Sequence, residues 1–484
     1  MSDTARKAFR NTALLVAFEI ANPLMSLFLI GTLTRRLGAE GLGGYNLLLN
    51  FFFVVHAFTS LGLNPLITRE VSRDRSAAGR FLCTSASFGL LVAAVAALVL
   101  VATIHAAGYG GDVRSAAWLV GGSLLPSIVI LYSESILIAY EKIQFIVWLA
   151  LGENLGKVLV GLWLLHRGYG VMALIASFTV FRYLNLAFNL LVFHRQVAPL
   201  KWTYDPGVAR ELVRSAPVFG TILVVATLRM RVDVFLLSKM ANLAAIGYYT
   251  AASRLYEIAA VVPKSLYTSI YPVFSRLFKG SPDSFRKANS LSIRYIMVAL
   301  LPVAAGTHGL AEPLVRLLFG WDFGPAAPAL KIVIWSLVPY GLGRVLVSRL
   351  FASDRQHIDL KVNVIALAAN VALNLVLIPR YGFLGCAWGT LLSTCLFLVC
   401  QCYFLRDEIL PVLHQAEILK PALAAAAILL WLRLTPALPL PMRIAGGAAV
   451  YGALLFLLQA VRMSELRLML PERFVALLPE ERKP

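Results

Sequence analysis

Residues 81–106 of this chain read FLCTSASFGLLVAAVAALVLVATIHA, twenty-six in a row without an Asp, Glu, Lys or Arg. A helix needs about 20 predominantly apolar residues to cross the hydrocarbon core of a bilayer. The stretch is long enough for that, and it has no charged face to turn toward water. The same ruler, applied outward in both directions, finds about fourteen such stretches. They lie near 11–33, 43–66, 81–106, 115–139, 144–165, 170–193, 214–238, 245–273, 290–311, 327–350, 359–378, 384–405, 420–434 and 442–461. The first is not a cleavable signal peptide, because its apolar part is too long and no small-residue cleavage site follows. The expected fold class is an all-α integral membrane protein.

Composition agrees with that reading. Of 484 residues, 59% are hydrophobic and 14% charged, with a formal net charge of +19 and a mean hydropathy of +0.77. Those values exclude a water-soluble enzyme. A basic chain invites a nucleic-acid partner, but here the basic residues punctuate apolar runs and build no polar face. Their placement is topological. With the N-terminus inside, the inside segments hold about 25 Lys and Arg against roughly 9 outside, the bias that marks cytoplasmic loops. Arg69, Arg73, Arg75 and Arg80 form one such loop, and Arg276, Lys279, Arg286 and Lys287 another. Both termini are expected on the cytoplasmic side of a bacterial-type plasma membrane. No connection exceeds about two dozen residues, which leaves no room for a soluble catalytic domain. The chain has no G-x-x-x-x-G-K-[ST] phosphate loop and no H-E-x-x-H pair, so no catalytic residue, metal or cofactor is expected. Its five cysteines sit in apolar segments, without zinc or disulfide spacing.

The first twelve spans repeat themselves. Gly43-Gly44-Tyr45-Asn46 opens the second span and Gly247-Tyr248-Tyr249-Thr250 the eighth. Asn64-Pro65 through Arg69 closes the second, and Tyr271-Pro272 through Arg276 closes the eighth. Gln144 and Gln356 enter the fifth and eleventh spans; Tyr169-Gly170 and Tyr381-Gly382 enter the sixth and twelfth. Every offset is slightly over two hundred residues. Six spans per half is an even number, so the halves enter the membrane from the same side as a parallel repeat. The expected organisation is a six-helix lobe over 1–195, a second over 210–406, two extra spans over 420–462 and a cytoplasmic tail over 463–484. Two lobes with a cleft between them read as a secondary transporter.

Charges among lipid tails are costly unless they face a wet cavity or a partner, so their positions point to the transport path. Span eight carries Arg254, Glu257 and Lys264 on one face, at helical spacing. Span five carries Glu153, Asn154 and Lys157, and span six Arg182, Asn185 and Asn189. Glu19, Asn22 and Ser26 share a stripe on span one, with Pro23 available to break the helix. Span eleven aligns Asp359, Asn363, Asn370 and Asn374, which reads as interhelical amide glue. On span seven, Arg229 and Asp233 share a face and Arg231 points elsewhere. The Glu153–Lys157 and Arg229–Asp233 pairs either neutralise themselves or line the cavity. Arg182 has no acid at helical spacing, and span eight has two cations for one acid. The surplus of cations suggests an anionic substrate, with phosphate or pyrophosphate the best geometric match to guanidinium donors.

Several motifs resemble those of the polysaccharide-biosynthesis flippases, in the superfamily that also holds multidrug exporters and the lipid II flippase. They are Arg231-Val232-Asp233, the run Gly247 to Glu257, Leu33 to Tyr45, and Tyr271-Pro272 with Ser275-Arg276. The resemblance covers roughly residues 10 to 460. It implies two six-helix lobes around a cavity that opens alternately to either side. It implies a polyprenyl-diphosphate-linked oligosaccharide as cargo, as in O-antigen or exopolysaccharide assembly, and a polymerase or glycosyltransferase complex as partner. Two extra spans are similar to those that carriers of lipid-linked cargo add. The expected substrate-binding residues are Arg182, Arg254, Lys264, Arg229 and Lys157. Glu257, Asp233, Glu153 and Glu19 are the expected carriers of a coupling H+ or Na+. The rival expectations are a multidrug or small-molecule antiporter of the same superfamily, and a scaffold that transports nothing.

Overall fold

The computed structural model describes residues 3–200, 203–264, 282–353, 355–406 and 419–460, and of these the side chains of all but 3–20, 218, 222, 282–290, 352 and 356. Among the described residues the secondary structure is helical throughout. In chain order the first helices are α1 (Asp3–Ser60), α2 (Asn64–Arg73), α3 (Ala78–Ala106), α4 (Gly111–Ala139), α5 (Ile143–His166), α6 (Val171–Gln196), α7 (Pro206–Met240) and α8 (Leu243–Ala259). Then come α9 (Pro282–Gly309), α10 (Ala311–Phe319), α11 (Ala326–Val333), α12 (Leu337–Ala352), α13 (Gln356–Tyr381), α14 (Phe383–Phe404), α15 (Leu419–Leu434) and α16 (Leu440–Leu457). Among the described residues, ten stretches of helix are long and apolar enough to cross a membrane. One of these, Ala21–Ser60, covers parts of two spans of the sequence reading, whereas α7, α8 and α15 are not among the ten. The described residues therefore establish a polytopic helical membrane protein without fixing fourteen crossings.

The first two spans are joined differently from the expectation. The interval 34–42 between the spans 11–33 and 43–66, which carries Arg35 and Arg36, is not a loop: helix continues to either side of a kink at Gly38. Its φ of 67° is open to glycine at little cost. Arg35 and Arg36 are still exposed, and Arg35 Nη2 donates to the Leu317 carbonyl at 3.0 Å. Pro23 does not break α1; the helix runs through it, with Ser26 Oγ donating to the Pro23 carbonyl at 2.8 Å. Clear stop and start signals frame α7 and α8. Asp205 caps α7 by accepting from Gly207 N at 2.8 Å, ahead of Pro206 in the first turn. Asn242 caps α8 through Ala245 N at 2.8 Å. Outside the spans, the Ser76 hydroxyl bonded to Asp74 holds that carboxyl below its usual range.

The chain divides into two compact units. The first comprises Met1–Val261, Val315–Ala329 and Leu360–Ser393; the second comprises Val262–Leu314, Leu330–Asp359 and Thr394–Pro484. Within the first, the C-terminal half of α1 lies along α8, α3 packs on α4, and α5 and α6 pack on each other. The α1–α8 contact is a backbone approach. A Cβ at Gly43 would collide with the Leu243 carbonyl, and one at Gly247 with the Ala39 carbonyl. The two glycines are the residues that the sequence repeat pairs. In the same unit Asn374 Nδ2 donates to Asn370 Oδ1 at 3.0 Å, and Asn370 Nδ2 to Ser393 Oγ at 3.1 Å. Those two residues of the asparagine stripe on span eleven thus bind α13 to α14, as amide glue does.

In the second unit, α15 and α16 pack on α9. Leu301, Ala305, Ala425, Ile428, Tyr451 and Leu455 are buried together there. The outer faces of the pair keep Leu423, Leu430, Met442 and Phe456 exposed, which suits contact with lipid. Tyr451 Oη donates to the Val298 carbonyl at 2.8 Å. Tyr451→Phe removes that bond while leaving the ring packed. It is expected to cost about 1 kcal/mol, read as a small drop in thermal midpoint in detergent with transport retained.

Candidate functional site

The polar stripes of α1, α5 and α6 converge with α7 and α8 on one cavity inside the first unit, about 470 Å³ in volume. Its wall holds four cations, Lys157, Arg182, Arg231 and Arg254, and three carboxylates, Glu134, Glu153 and Glu257. A roomier space of about 760 Å³ between α1, α3 and α7 is lined by Phe51, Phe58, Val95 and similar side chains. It carries no charged residue, so the smaller cavity is the candidate site.

Glu153 organises one side. Lys157 Nζ donates to its Oε1 at 2.9 Å, and Arg182 Nε lies 3.3 Å from the same oxygen. Asn185 Nδ2 donates to Oε2. The Arg182 guanidinium also lies against two aromatic rings that meet edge to face, 5.6 Å from the Phe52 ring and 5.5 Å from Phe178. Asn154 Nδ2 donates to Asn22 Oδ1 at 2.5 Å, which ties this side to α1. The i, i+4 spacing identified the Glu153–Lys157 pair. The partner of Arg182 comes from another helix, which no spacing within span six reveals.

The other side is built on two asparagines one turn apart. Asn46 Oδ1 accepts from Arg254 Nη2 at 3.3 Å, and Asn50 Oδ1 from Arg231 Nη1 at 3.3 Å. Asn46 Nδ2 donates to Thr250 Oγ1 at 2.8 Å across the α1–α8 contact. Asn50 Nδ2 donates back to the Asn46 carbonyl at 2.7 Å. Arg254 Nη1 bonds Glu257 Oε2 at 2.8 Å. Arg231 lies over Phe53, 4.9 Å from guanidinium carbon to ring centroid.

Of the expected site residues, Arg182, Arg254, Lys157, Glu153 and Glu257 come together on this wall. Arg229 and Asp233 are not on it. Asp233 is buried, and it accepts from the Tyr249 hydroxyl and from Val234 N at 2.9 Å. Lys264 belongs to the second unit and is exposed. The Glu19 side chain lies outside the described residues, as do Tyr271, Pro272, Ser275, Arg276, Lys279 and the tail over 463–484. Three wall residues escaped the sequence reading as site residues: Glu134, Arg231 and Tyr45. Glu134 left a signal, since it is the one charge in the 115–139 stretch, and an ionisable residue inside a span points to function by default.

Comparison with known proteins adds to this geometry. The model of a family described as polysaccharide biosynthesis protein matches residues 8–278. The chain is 27% identical over 254 residues to a probable lipid II flippase MurJ of Rhizobium meliloti, over 46% of this chain and 47% of that protein. It thus spans about half the length of that curated relative. Among solved structures, lipid II flippase MurJ in an inward closed conformation aligns with a TM-score of 0.78 at 16% identity, over 93% of this chain and 100% of that one. An inward-facing multidrug resistance MATE family transporter of the MOP superfamily aligns with a TM-score of 0.67 at 14% identity, over 83% and 99%. At such identities the structures share the fold.

Proposed function

This chain belongs to the polysaccharide biosynthesis protein family, and from that membership we propose that it is a flippase for polyprenyl-diphosphate-linked oligosaccharide. The cargo would pass from the cytoplasmic to the outer leaflet, with its tail in lipid and its diphosphate in the charged cavity. The observation that carries this reading is the wall itself, with four cations against three carboxylates inside a membrane-embedded unit. Charge of that sign is retained among spans at a cost that an anionic cargo would offset. Alternating access would come from rocking of the two repeat-related lobes, 1–195 and 210–406, with both termini cytoplasmic. Glu257 or Glu153 would be the carrier of a coupling H+ or Na+ where one is used. Arg229, Asp233 and Lys264 would act outside this wall. A polymerase or glycosyltransferase complex would supply and consume the cargo.

The fold shared with a multidrug resistance MATE family transporter supports a second reading, a multidrug or small-molecule cation-coupled antiporter. That reading predicts a neutral or acidic cavity, and the surplus of cations on the wall leans against it. The test is transport by the full chain in proteoliposomes, followed as the loss of lipid-linked oligosaccharide from the leaflet where it starts. Arg182→Ala and Arg254→Ala are each expected to slow it at least about tenfold, the loss of one charge-assisted contact. Wild-type rates in both variants, or drug export without lipid export, would defeat the flippase reading.

A further inference from the structure

The stretch Arg75–Ala106, which holds α3, has the highest mean hydropathy of the ten, 2.6, and its end is built around a lysine from another helix. The last carbonyls of a helix lack donors of their own. Lys239, in the last turn of α7, supplies one from Nζ to the Ala107 carbonyl at 2.6 Å. Gly108, at a φ of 71°, turns the chain back, and the Tyr109 ring centroid lies 3.6 Å from Lys239 Nζ. Ser238 Oγ spends its one proton on the Phe235 carbonyl at 2.7 Å, so Tyr109 donates the 2.8 Å bond between Tyr109 Oη and Ser238 Oγ. Lys239 is exposed and enters none of the ion pairs among the described residues. An ammonium has three donors, and one goes to Ala107.

This cation stands at one end of the uncharged space of about 760 Å³ between α1, α3 and α7. Phe51 and Phe235 line that space with their rings 4.9 Å apart, and Phe51 meets Tyr109 edge-on at 5.7 Å. Lys239 lies one helical turn beyond Phe235. Toward the other end the chain just past α1 meets α7, where a Cβ at Gly62 would collide with the Phe219 carbonyl. Between the two ends the small Ala96 of α3 leaves a channel, and Leu91, Val95 and Val99 stay exposed along it. On α3 the lining runs from Leu91 to Thr103, about 18 Å at the rise of a helix. That is close to one leaflet's share of a hydrocarbon core about 30 Å thick. A space one leaflet deep, walled by hydrocarbon and ended by a fixed cation, matches one lipid chain beneath an anionic headgroup. A zwitterionic headgroup brings its own cation to the phosphate and competes with Lys239. We propose that α1, α3 and α7 form a binding site for an anionic phospholipid, with one acyl chain in the channel and Lys239 on the phosphate. The site is separate from the charged cavity and does not rest on the flippase reading.

The experiment titrates the full chain in detergent with phosphatidylglycerol and phosphatidylcholine of the same acyl chains, and counts bound lipid by native mass spectrometry. Wild type is expected to hold one phosphatidylglycerol about five- to tenfold more tightly than phosphatidylcholine. Lys239→Gln is expected to bring the two within about twofold by weakening phosphatidylglycerol alone. Ala96→Phe fills the channel and is expected to weaken both lipids about tenfold. Because Lys239 is exposed, its variant keeps the test decisive even where Ala96→Phe does not fold. The thermal midpoint gives a second readout: phosphatidylglycerol should raise it in wild type and much less in Lys239→Gln. Arg167→Gln is the control. That cation also lies over an aromatic ring at the C-terminal end of a span, 5.5 Å from Trp163, and lines none of this space, so its loss should leave the preference intact. Equal binding of the two lipids by wild type, or a preference that survives Lys239→Gln or is lost as fully in Arg167→Gln, would overturn the proposal. So would displacement of phosphatidylglycerol by an equal concentration of polyprenyl phosphate, which would give the channel to a longer tail.

Discussion

Replacing Glu153 by alanine is expected to lower stability by about 3–5 kcal/mol, the range for removing one partner of a buried ion pair. The carboxylate accepts from Lys157 and Asn185, pairs with Arg182 at 3.3 Å and is almost sealed from solvent. Without it two cations remain close together in a low-dielectric wall, deprived of the carboxylate they share and each repelling the other. The readout is the thermal midpoint of the purified chain in detergent. A companion variant separates stability from transport. Changing Glu153, Lys157 and Arg182 together to leucine removes the charges as a set, which is often neutral or stabilising. That triple variant is expected to regain most of the lost midpoint while remaining inactive in transport. A wild-type midpoint in Glu153→Ala would show that water or lipid headgroups compensate the cations, and that the triad is not structural.

Much of this site was legible in the sequence, and the part that was not has a geometric cause. Spacing along one helix shows which side chains share a face, so Glu153–Lys157 and Arg254–Glu257 stood out. Spacing does not say which face meets which neighbour. On α7, Arg229 and Asp233 were rightly separated in angle from Arg231. The cavity lies on the Arg231 side, however, and Asp233 turns to Tyr249 instead. The Arg182–Glu153 contact joins α6 to α5 and is set by packing between helices. Glu134 was readable by the rule for lone intramembrane charges, yet no stripe of charges drew attention to it. The fold followed from apolar run length, because a bilayer admits few alternatives to a helix. The kink at Gly38 did not: a nine-residue polar interval between two spans reads equally well as a loop or as continued helix.

The largest effect away from any charge is expected at the α1–α8 crossing. Gly247→Val would place branched carbons where the Ala39 carbonyl now sits, against backbone that cannot rotate aside. Overpacking of this kind costs about 1–3 kcal/mol, occasionally more, but the functional loss should exceed the loss of stability. Parting the helices stretches the Asn46–Thr250 bond of 2.8 Å and the Asn46–Arg254 bond of 3.3 Å. The register of Arg254 depends on the second of these. Transport is expected to fall to background while much of the protein still folds, as judged by size-exclusion behaviour in detergent. Gly43→Val should act alike from the facing helix, since its Cβ would meet the Leu243 carbonyl. The double variant should cost less than the sum of the two, because helices already parted by one side chain leave room for the other. Gly44→Ala supplies the control: a Cβ there meets nothing within 4 Å, and alanine favours the helix. If Gly247→Val transported like wild type, the close approach would be dispensable, and the amide pair on α1 would have to hold Arg254 without it.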